Sequence, residues 1–312
     1  MIPLGVALHP PGPAGRNAID ALVAQARQAA EAGLESVWLG QMYDLDALTA
    51  AAVIGREVPG IGVGTAVTVT HTRHPITMSS QAQTVQAAVG GRLTLGIGVS
   101  HRRPIEQRFG LDFAHPARHM REYLEALQPL LGEGTVTVHG SMITADTAGF
   151  PGHVAGSTPP PVLVAALGPA MLRVAGELAD GTVTFLAGPR TLGGHIVPKL
   201  TAAAAGRTTQ VVASLPVCVT GNREDARARA AAELGFYAAV PSYRMLLDLE
   251  QASSPAQVAI IGDEHEVEER IRQLADVGAT RFVANFPGFA TARERERTLE
   301  LLGTMATTMA GP

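Results

Sequence analysis

The chain of 312 residues carries one cysteine, one tryptophan and one lysine, and few charges of any kind. A single thiol, Cys218, excludes an intrachain disulfide and any metal site built from several cysteines. It sits in the run Pro216-Val-Cys-Val-Thr220, which reads as a buried strand and predicts an inert core thiol. Charged residues make up 17% and the net charge is −4, so there is no basic field for nucleic acid or anionic lipid. No run approaches the roughly 18 apolar residues of a membrane span. The opening MIPLGVALH has no basic stretch and too short an apolar run for a secretory leader, so a soluble, cytoplasmic protein is expected. Lys199 is alone among the 24 Lys and Arg residues, a bias that suggests a GC-rich genome.

What the chain does have is apolar mass and a repeated joint. At 46% hydrophobic it has ample material for one large core, and a single domain over residues 1–312 is expected. Three times a helical run ends near glycine (Gly33, Gly181, Gly278) and an apolar strand follows. Glycine past a helix end takes the left-handed conformation that caps the last carbonyls. The repetition predicts alternating helices and strands, hence a parallel sheet. Strands are expected at residues 2–8, 36–39, 61–69, 92–99, 162–165, 182–186, 210–219 and 281–285. Eight of them fit an α/β fold of the closed (β/α)8 TIM-barrel kind. An open doubly wound sheet would show phosphate-binding glycines after its first strand, where this chain has His9-Pro-Pro-Gly-Pro13. Two segments, 111–161 and 236–261, exceed the rhythm and are expected as insertions at the carboxyl-terminal face. The first should hold a helix over 116–131 and a hairpin of 136–139 with 142–144; the second, a short helix over 243–249.

Two strands are studded with glycine: Gly62 and Gly64 in one, Gly91, Gly96 and Gly98 in the other. Glycine weakens a strand interior, so its repetition predicts the close approach of a ligand or another backbone. Strand ends in a barrel face the site. Here they supply His9, Gly40-Gln41-Met42-Tyr43, Thr70-His71, Val99-Ser100-His101, Ala165-Ala166-Leu167-Gly168, Ala187-Gly188 and Asn285. That set has no carboxylate pair for glycoside hydrolysis, no metal ligands and no Ser-His-Asp arrangement. Asp44 and Asp46, near strand two, read as helix caps. A site of backbone, imidazole and amide suits a cofactor that brings its own chemistry. The 165–168 turn into Pro169 is the clearest phosphate seat, because a helix start offers free N–H groups and a positive dipole end.

In order, GIGVGTAV (60–67), RHP (73–75), GGRLTLGIGVS (90–100) and PPVLVAALGPAMLRVAGELADG (160–181) resemble the luciferase-like oxidoreductases, over residues 3–286. The resemblance implies a TIM barrel of the bacterial luciferase-like type that binds FMN or the deazaflavin coenzyme F420, and a homodimer. Small Val99 and Ser100 stand where an FMN-phosphate arginine would follow strand four, so the chain is more similar to the F420 branch. The resemblance also implies a non-prolyl cis peptide at Ala66–Val67 supporting the cofactor ring. By the same likeness, cofactor contacts fall on Thr65, Ala66, Val67, Gly98, Val99, Ser100, Ala165, Ala166, Leu167 and Gly168. Sugar-phosphate dehydrogenases of that branch end strand two in Asp-His; this chain has Gln41-Met42. His9, Gln41, Tyr43 and His71 are therefore the candidates for polarising substrate or relaying a proton, with Met42 or Tyr43 lining an apolar pocket. Each imidazole also has a structural reading: His9 and His71 as loop caps, His74 at a helix start, and His101 beside Arg102 and Arg103 in a solvated loop. His195 and His265 fall in helical stretches and receive no role. The expected activity is hydride transfer between F420 and a small, largely neutral organic molecule of enone, imine or carbonyl type. The alternatives are an FMN-dependent monooxygenase and a non-catalytic flavin or deazaflavin carrier.

Overall fold

The computed structural model describes residues 2–12, 17–41, 43–286 and 288–310. Its sheet is a closed parallel barrel. The strands are β1 (Leu4–Leu8), β2 (Ser36–Leu39), β3 (Gly62–Thr65) continued after a break by β4 (Thr68–Val69), and β5 (Leu93–Gly98). An antiparallel hairpin of β6 (Thr137–His139) and β7 (Thr144–Asp146) precedes β8 (Val162–Val164), β9 (Gly181–Phe185) and β10 (Gln210–Val219). A short β11 (Ile260–Gly262) leads to β12 (Arg281–Asn285), which pairs with β1 in the register Leu4 to Phe282 and closes the ring. Between the strands, helices form the outer layer, and their apolar faces meet the outward side chains of the sheet.

The joints form as local chemistry dictates, with one exception. Gly33 (φ +84°) and Gly278 (φ +103°) take the left-handed conformation after the helices Ala18–Glu31 and Glu264–Asp276. Gly181 does not cap a helix. The helix Pro169–Leu178 ends at extended Ala179, and Gly181 already belongs to β9, where a Cβ would collide with the Gln210 carbonyl.

Inside the barrel, a second small core gathers Trp38, Leu163, Val183, Val212 and Val283 on the axis. Trp38 is 1% exposed. The glycines of strands three and four are explained by this packing. A Cβ on Gly64 would stand 2.5 Å from the indole Cε3, and one on Gly96 would collide with the Thr65 carbonyl. The close approach expected from the glycines is thus made by an indole and by a neighbouring backbone.

Three expectations shift. The hairpin strands start later than 136 and 142, because Met142 and Ile143 donate their N–H groups to the Glu122 carboxylate at 2.6 and 2.9 Å, bending that stretch into a turn. Strand three is not continuous over 61–69; it breaks at the cis peptide Ala66–Val67. The end of the 236–261 segment is a strand, β11, paired in parallel with β10 from Val217 to Ile260. The helix expected over 243–249 runs Pro241–Glu250, that over 116–131 runs Pro116–Gly132, and Cys218 lies buried in β10. Burial pushes the Cys218 thiol up to about 12, which keeps it protonated and inert. No described helix is long and apolar enough to cross a membrane.

Gly96→Ala should cost about 3 kcal/mol, since neither strand backbone can yield without losing ladder bonds. Gly132→Ala, with no atom within 4 Å of the new methyl, should be neutral or slightly stabilising. Denaturant unfolding followed by the emission of the sole tryptophan, Trp38, checks both; equal midpoints for the two variants would sink the packing account.

Candidate active site

The ends of three adjacent strands, β5, β8 and β9, make a cradle at the carboxyl-terminal mouth. Ser100 follows β5 with φ +62° and Leu186 follows β9 with φ +58°, both left-handed without being glycine. Such conformations cost energy and persist where the surroundings impose them. Between them, β8 runs into the 165–168 turn and the helix Pro169–Leu178. Gly168 is that helix's N-cap in extended conformation, Pro169 takes its first position, and no side chain caps it. The N–H groups of the first turn thus have no intrahelical carbonyl and no capping side chain. A Cβ on Gly168 would meet nothing within 4 Å, so the space before the helix start is open. His195, in the π-turn Leu192–Ile196, has its Nε2 2.8 Å from the Leu167 carbonyl and is buried. It pins the turn from below. No spacing in the sequence ties residue 195 to residue 167; only the fold brings them together.

Beside the cradle, next to β5, the break in strand three carries the cis bond Ala66–Val67. Thr65 is buried, and its hydroxyl bridges the gap by donating to the Gly96 carbonyl (2.7 Å) and accepting from the Gly96 N–H (2.9 Å). That occupation makes Thr65 a brace for the bulge, set back from the mouth. The Val67 side chain lies where a Cβ on Gly98 would come within 2.7 Å, and Ala165 is beside it. Ala66, Val67, Gly98, Val99, Ser100 and residues 165–168 are thereby brought to one side of the mouth.

Of the polar candidates, His9 is the best placed. It is solvent-accessible just past the end of β1, and its Nε2 lies 3.0 Å from Asn285 Oδ1. Surrounding protein desolvates it and lowers its pKa despite that bond. Gln41 reaches Ala47 N–H through Oε1 at 3.4 Å, a weak tie at the start of the helix Ala47–Glu57, where Asp46 caps Thr49 N–H at 2.8 Å. Tyr43 is exposed, tilted against Phe109 with the Arg108 guanidinium over its ring. Met42 lies outside the described residues. His71 stacks on His119 with ring centroids 4.0 Å apart and on Phe113 at 5.2 Å. Both its ring nitrogens are buried without a partner in hydrogen-bond geometry, although the Val99 backbone lies close enough to favour the protonated ring. His74 is structural: its Nδ1 accepts from Ile76 N–H and its Nε2 meets the Thr144 carbonyl.

The sequence profile of the luciferase-like monooxygenases matches residues 2–281. The chain belongs to that family. An uncharacterized protein of Mycobacterium tuberculosis is 30% identical over 254 residues, covering 74% of this chain and 71% of the other. The 5,10-methylenetetrahydromethanopterin reductase of Methanopyrus kandleri is 25% identical over 319 residues, covering 87% and 89%. A solved structure of a coenzyme F420 dependent tetrahydromethanopterin reductase from the same organism superposes with a TM-score of 0.81, 21% identity and 97% coverage of both chains.

In this luciferase-like barrel an aromatic wall rises on the β9 side, which sequence reading missed because its members are distant in the chain. Phe185, Tyr237 and Tyr243 pack edge-on at 4.9–6.2 Å, and His101 leans on Tyr243 at 5.9 Å. Burial raises the pKa of both tyrosines, so they stay neutral. The second long segment thus covers the mouth with rings and hydroxyls.

The stacked imidazoles make stability depend on pH. Burial, then the neighbouring His71, lowers His119 from 6.5 to about 4, and burial lowers His71 as well. Between those values the unfolded chain takes up protons that the folded chain refuses. Stability should therefore fall as pH drops from about 6.5 to about 4, by at most ~1.4 kcal/mol per pH unit for each histidine. His119→Gln retains a partner for Thr70 and should flatten that slope; parallel stability–pH curves for the variant and the wild type would contradict the assignment.

Proposed function

We propose that this luciferase-like protein is a coenzyme F420-dependent oxidoreductase that transfers hydride between the deazaflavin and a small, largely neutral organic substrate of enone, imine or carbonyl type. The observation that carries the reading is the uncharged seat formed by Ser100 and the 165–168 turn. It offers a hydroxyl and the open N–H groups of a helix start to a phosphate, with no guanidinium in the turn itself. The arginines that follow Ser100 are engaged elsewhere: Arg102 with Glu106 and over the Phe113 ring, Arg103 with Gln107 at 3.0 Å. The solved tetrahydromethanopterin reductase of Methanopyrus kandleri, described as coenzyme F420 dependent, is consistent with the same cofactor. When bound, the deazaflavin supplies the hydride chemistry.

The chain's own residues supply position and polarity. Ala66 and Val67 present a small, flat surface at the bulge, so a planar ring can rest on peptide without a side chain in the way. His195 holds the Leu167 carbonyl and keeps the turn in register. His9, neutral at pH 7 because its pKa is lowered, can donate or accept one hydrogen bond at the substrate, with Asn285 fixing its ring. The carboxylates close to the strand ends, Glu250 at Gly188 and Glu233 near His9, already accept from backbone N–H groups of Thr191 and Gly288 at 2.9 Å each, and with the aromatic wall this favours an uncharged, partly apolar substrate.

Titration of the purified protein should show saturable binding of F420 and weak or no binding of FMN; the reverse would favour the monooxygenase alternative. Gly168→Asp is the sharper probe. The new carboxylate has room and caps the helix, so the melting temperature should hold or rise. At the same time it occupies the free N–H groups and repels phosphate, so F420 affinity should fall by about tenfold or more. Unchanged affinity would remove the seat from this turn. His9→Ala should lower kcat about 10²-fold while leaving the F420 dissociation constant alone; loss of cofactor binding instead would make His9 part of the seat.

A further inference from the structure

The barrel has a second cavity at its amino-terminal end, on the far side of Trp38 from the mouth. It measures about 300 Å³ and is lined by Glu35, Ser36, Trp38, Arg92, Thr94 and Arg281, among others. That volume equals roughly ten waters, enough for a compact ion with part of its hydration.

Its lining is rich in hydrogen-bond donors. Arg281 opens β12, and its side chain is only 26% exposed. Nη1 donates to Ser36 Oγ at 3.0 Å. Its carboxylate neighbour, Glu35, stands 3.7 Å away with its side chain 53% exposed, an ion pair too long for a hydrogen bond. A guanidinium has five N–H donors, so most of this one's capacity is unspent. Burial disfavours its charge, and Glu35 offsets that only in part. Ser36 Oγ also accepts from Trp38 Nε1 at 3.0 Å. Both acceptor positions of this buried hydroxyl are thus in use, and its O–H remains to donate. Arg92 is anchored by the carbonyls of Ile61 and of Gly55 (2.7 Å), which fix its position without neutralising it. Two arginines against one half-exposed carboxylate leave the lining net positive.

We propose that this cavity binds a compact oxyanion, independently of the mouth, through Arg281 and the Ser36 hydroxyl, with Arg92 supplying field and Glu35 opposing entry. Trp38, whose indole N–H is tied to Ser36, is the sole tryptophan and reports occupancy directly.

The test titrates the full chain with inorganic phosphate, sulfate and acetate at constant ionic strength set by chloride, reading Trp38 emission. A saturable change with at least one of the three, absent with chloride, is expected, and the arms separate a tetrahedral oxyanion from a carboxylate. Arg281→Gln should weaken the binding at least about tenfold while far-UV circular dichroism is retained. Glu35→Gln, an exposed change that leaves the fold intact, should tighten it about two- to fivefold. No saturable response to any of the anions, an Arg281→Gln titration identical to wild type, or unchanged affinity in Glu35→Gln would each overturn the proposal.

Discussion

One contact sets the geometry of the barrel: the indole of Trp38 on the axis, admitted because the residue facing it is Gly64. Any Cβ there would meet the ring at 2.5 Å. With strand β3 drawn against the tryptophan, its Thr65 carbonyl moves onto β5, which in turn requires Gly96. The bulge that follows keeps the Ala66 N–H on the Leu39 carbonyl (2.8 Å) but interrupts the pairing with β5, and Thr65 bridges that gap with its own hydroxyl. A closely packed floor results, and on the side of β5 and β8 the residues above it are backbone and small side chains. The packing at this level of the barrel therefore follows from one large residue and two absent side chains.

Alternation and joint chemistry made the architecture legible before any coordinates. Helix ends such as Gly33 and Gly278 carry their signal in one residue, because a left-handed φ is a local requirement. The glycines of strands three and four were also visible as places of close approach, but not the identity of what approaches, since Trp38 is distant from Gly64 in sequence and adjacent only through parallel pairing of β2 with β3. The same limit hid His195 beneath the 165–168 turn and the wall of Phe185, Tyr237 and Tyr243, all assembled across strands. The hairpin was displaced for a different reason. Its register answers to a carboxylate on a helix, Glu122, rather than to alternation within the hairpin.

Charge is distributed to match the proposed chemistry. An ionic cluster forms just past the ends of β10 and β12, where burial would raise the Glu294 pKa but bonds from Arg229, Thr291 and Thr220 outweigh it and hold it at about 2. That cluster ties the last helix to the barrel wall. At the mouth, by contrast, His9, His71, His101 and His119 all have lowered pKa values, each chiefly through burial. Four imidazoles that remain neutral at pH 7 give hydrogen-bonding capacity without net charge.

Trp38 also divides the barrel into two solvent-facing ends with opposite character. Above it stand imidazoles, hydroxyls and aromatic rings; below it two arginines flank a cavity, and one of them leaves most of its donors unspent. Barrel function ordinarily resides at the carboxyl ends of the strands, and the amino ends serve stability. An arginine placed there for stability alone would be expected to spend its donors on carbonyls, as Arg92 does with Ile61 and Gly55. Arg281 does not, and the hydroxyl it touches still has a proton to give. The asymmetry between these two arginines, within one cavity and against one carboxylate, is what separates a binding site from a structural brace at this end of the barrel.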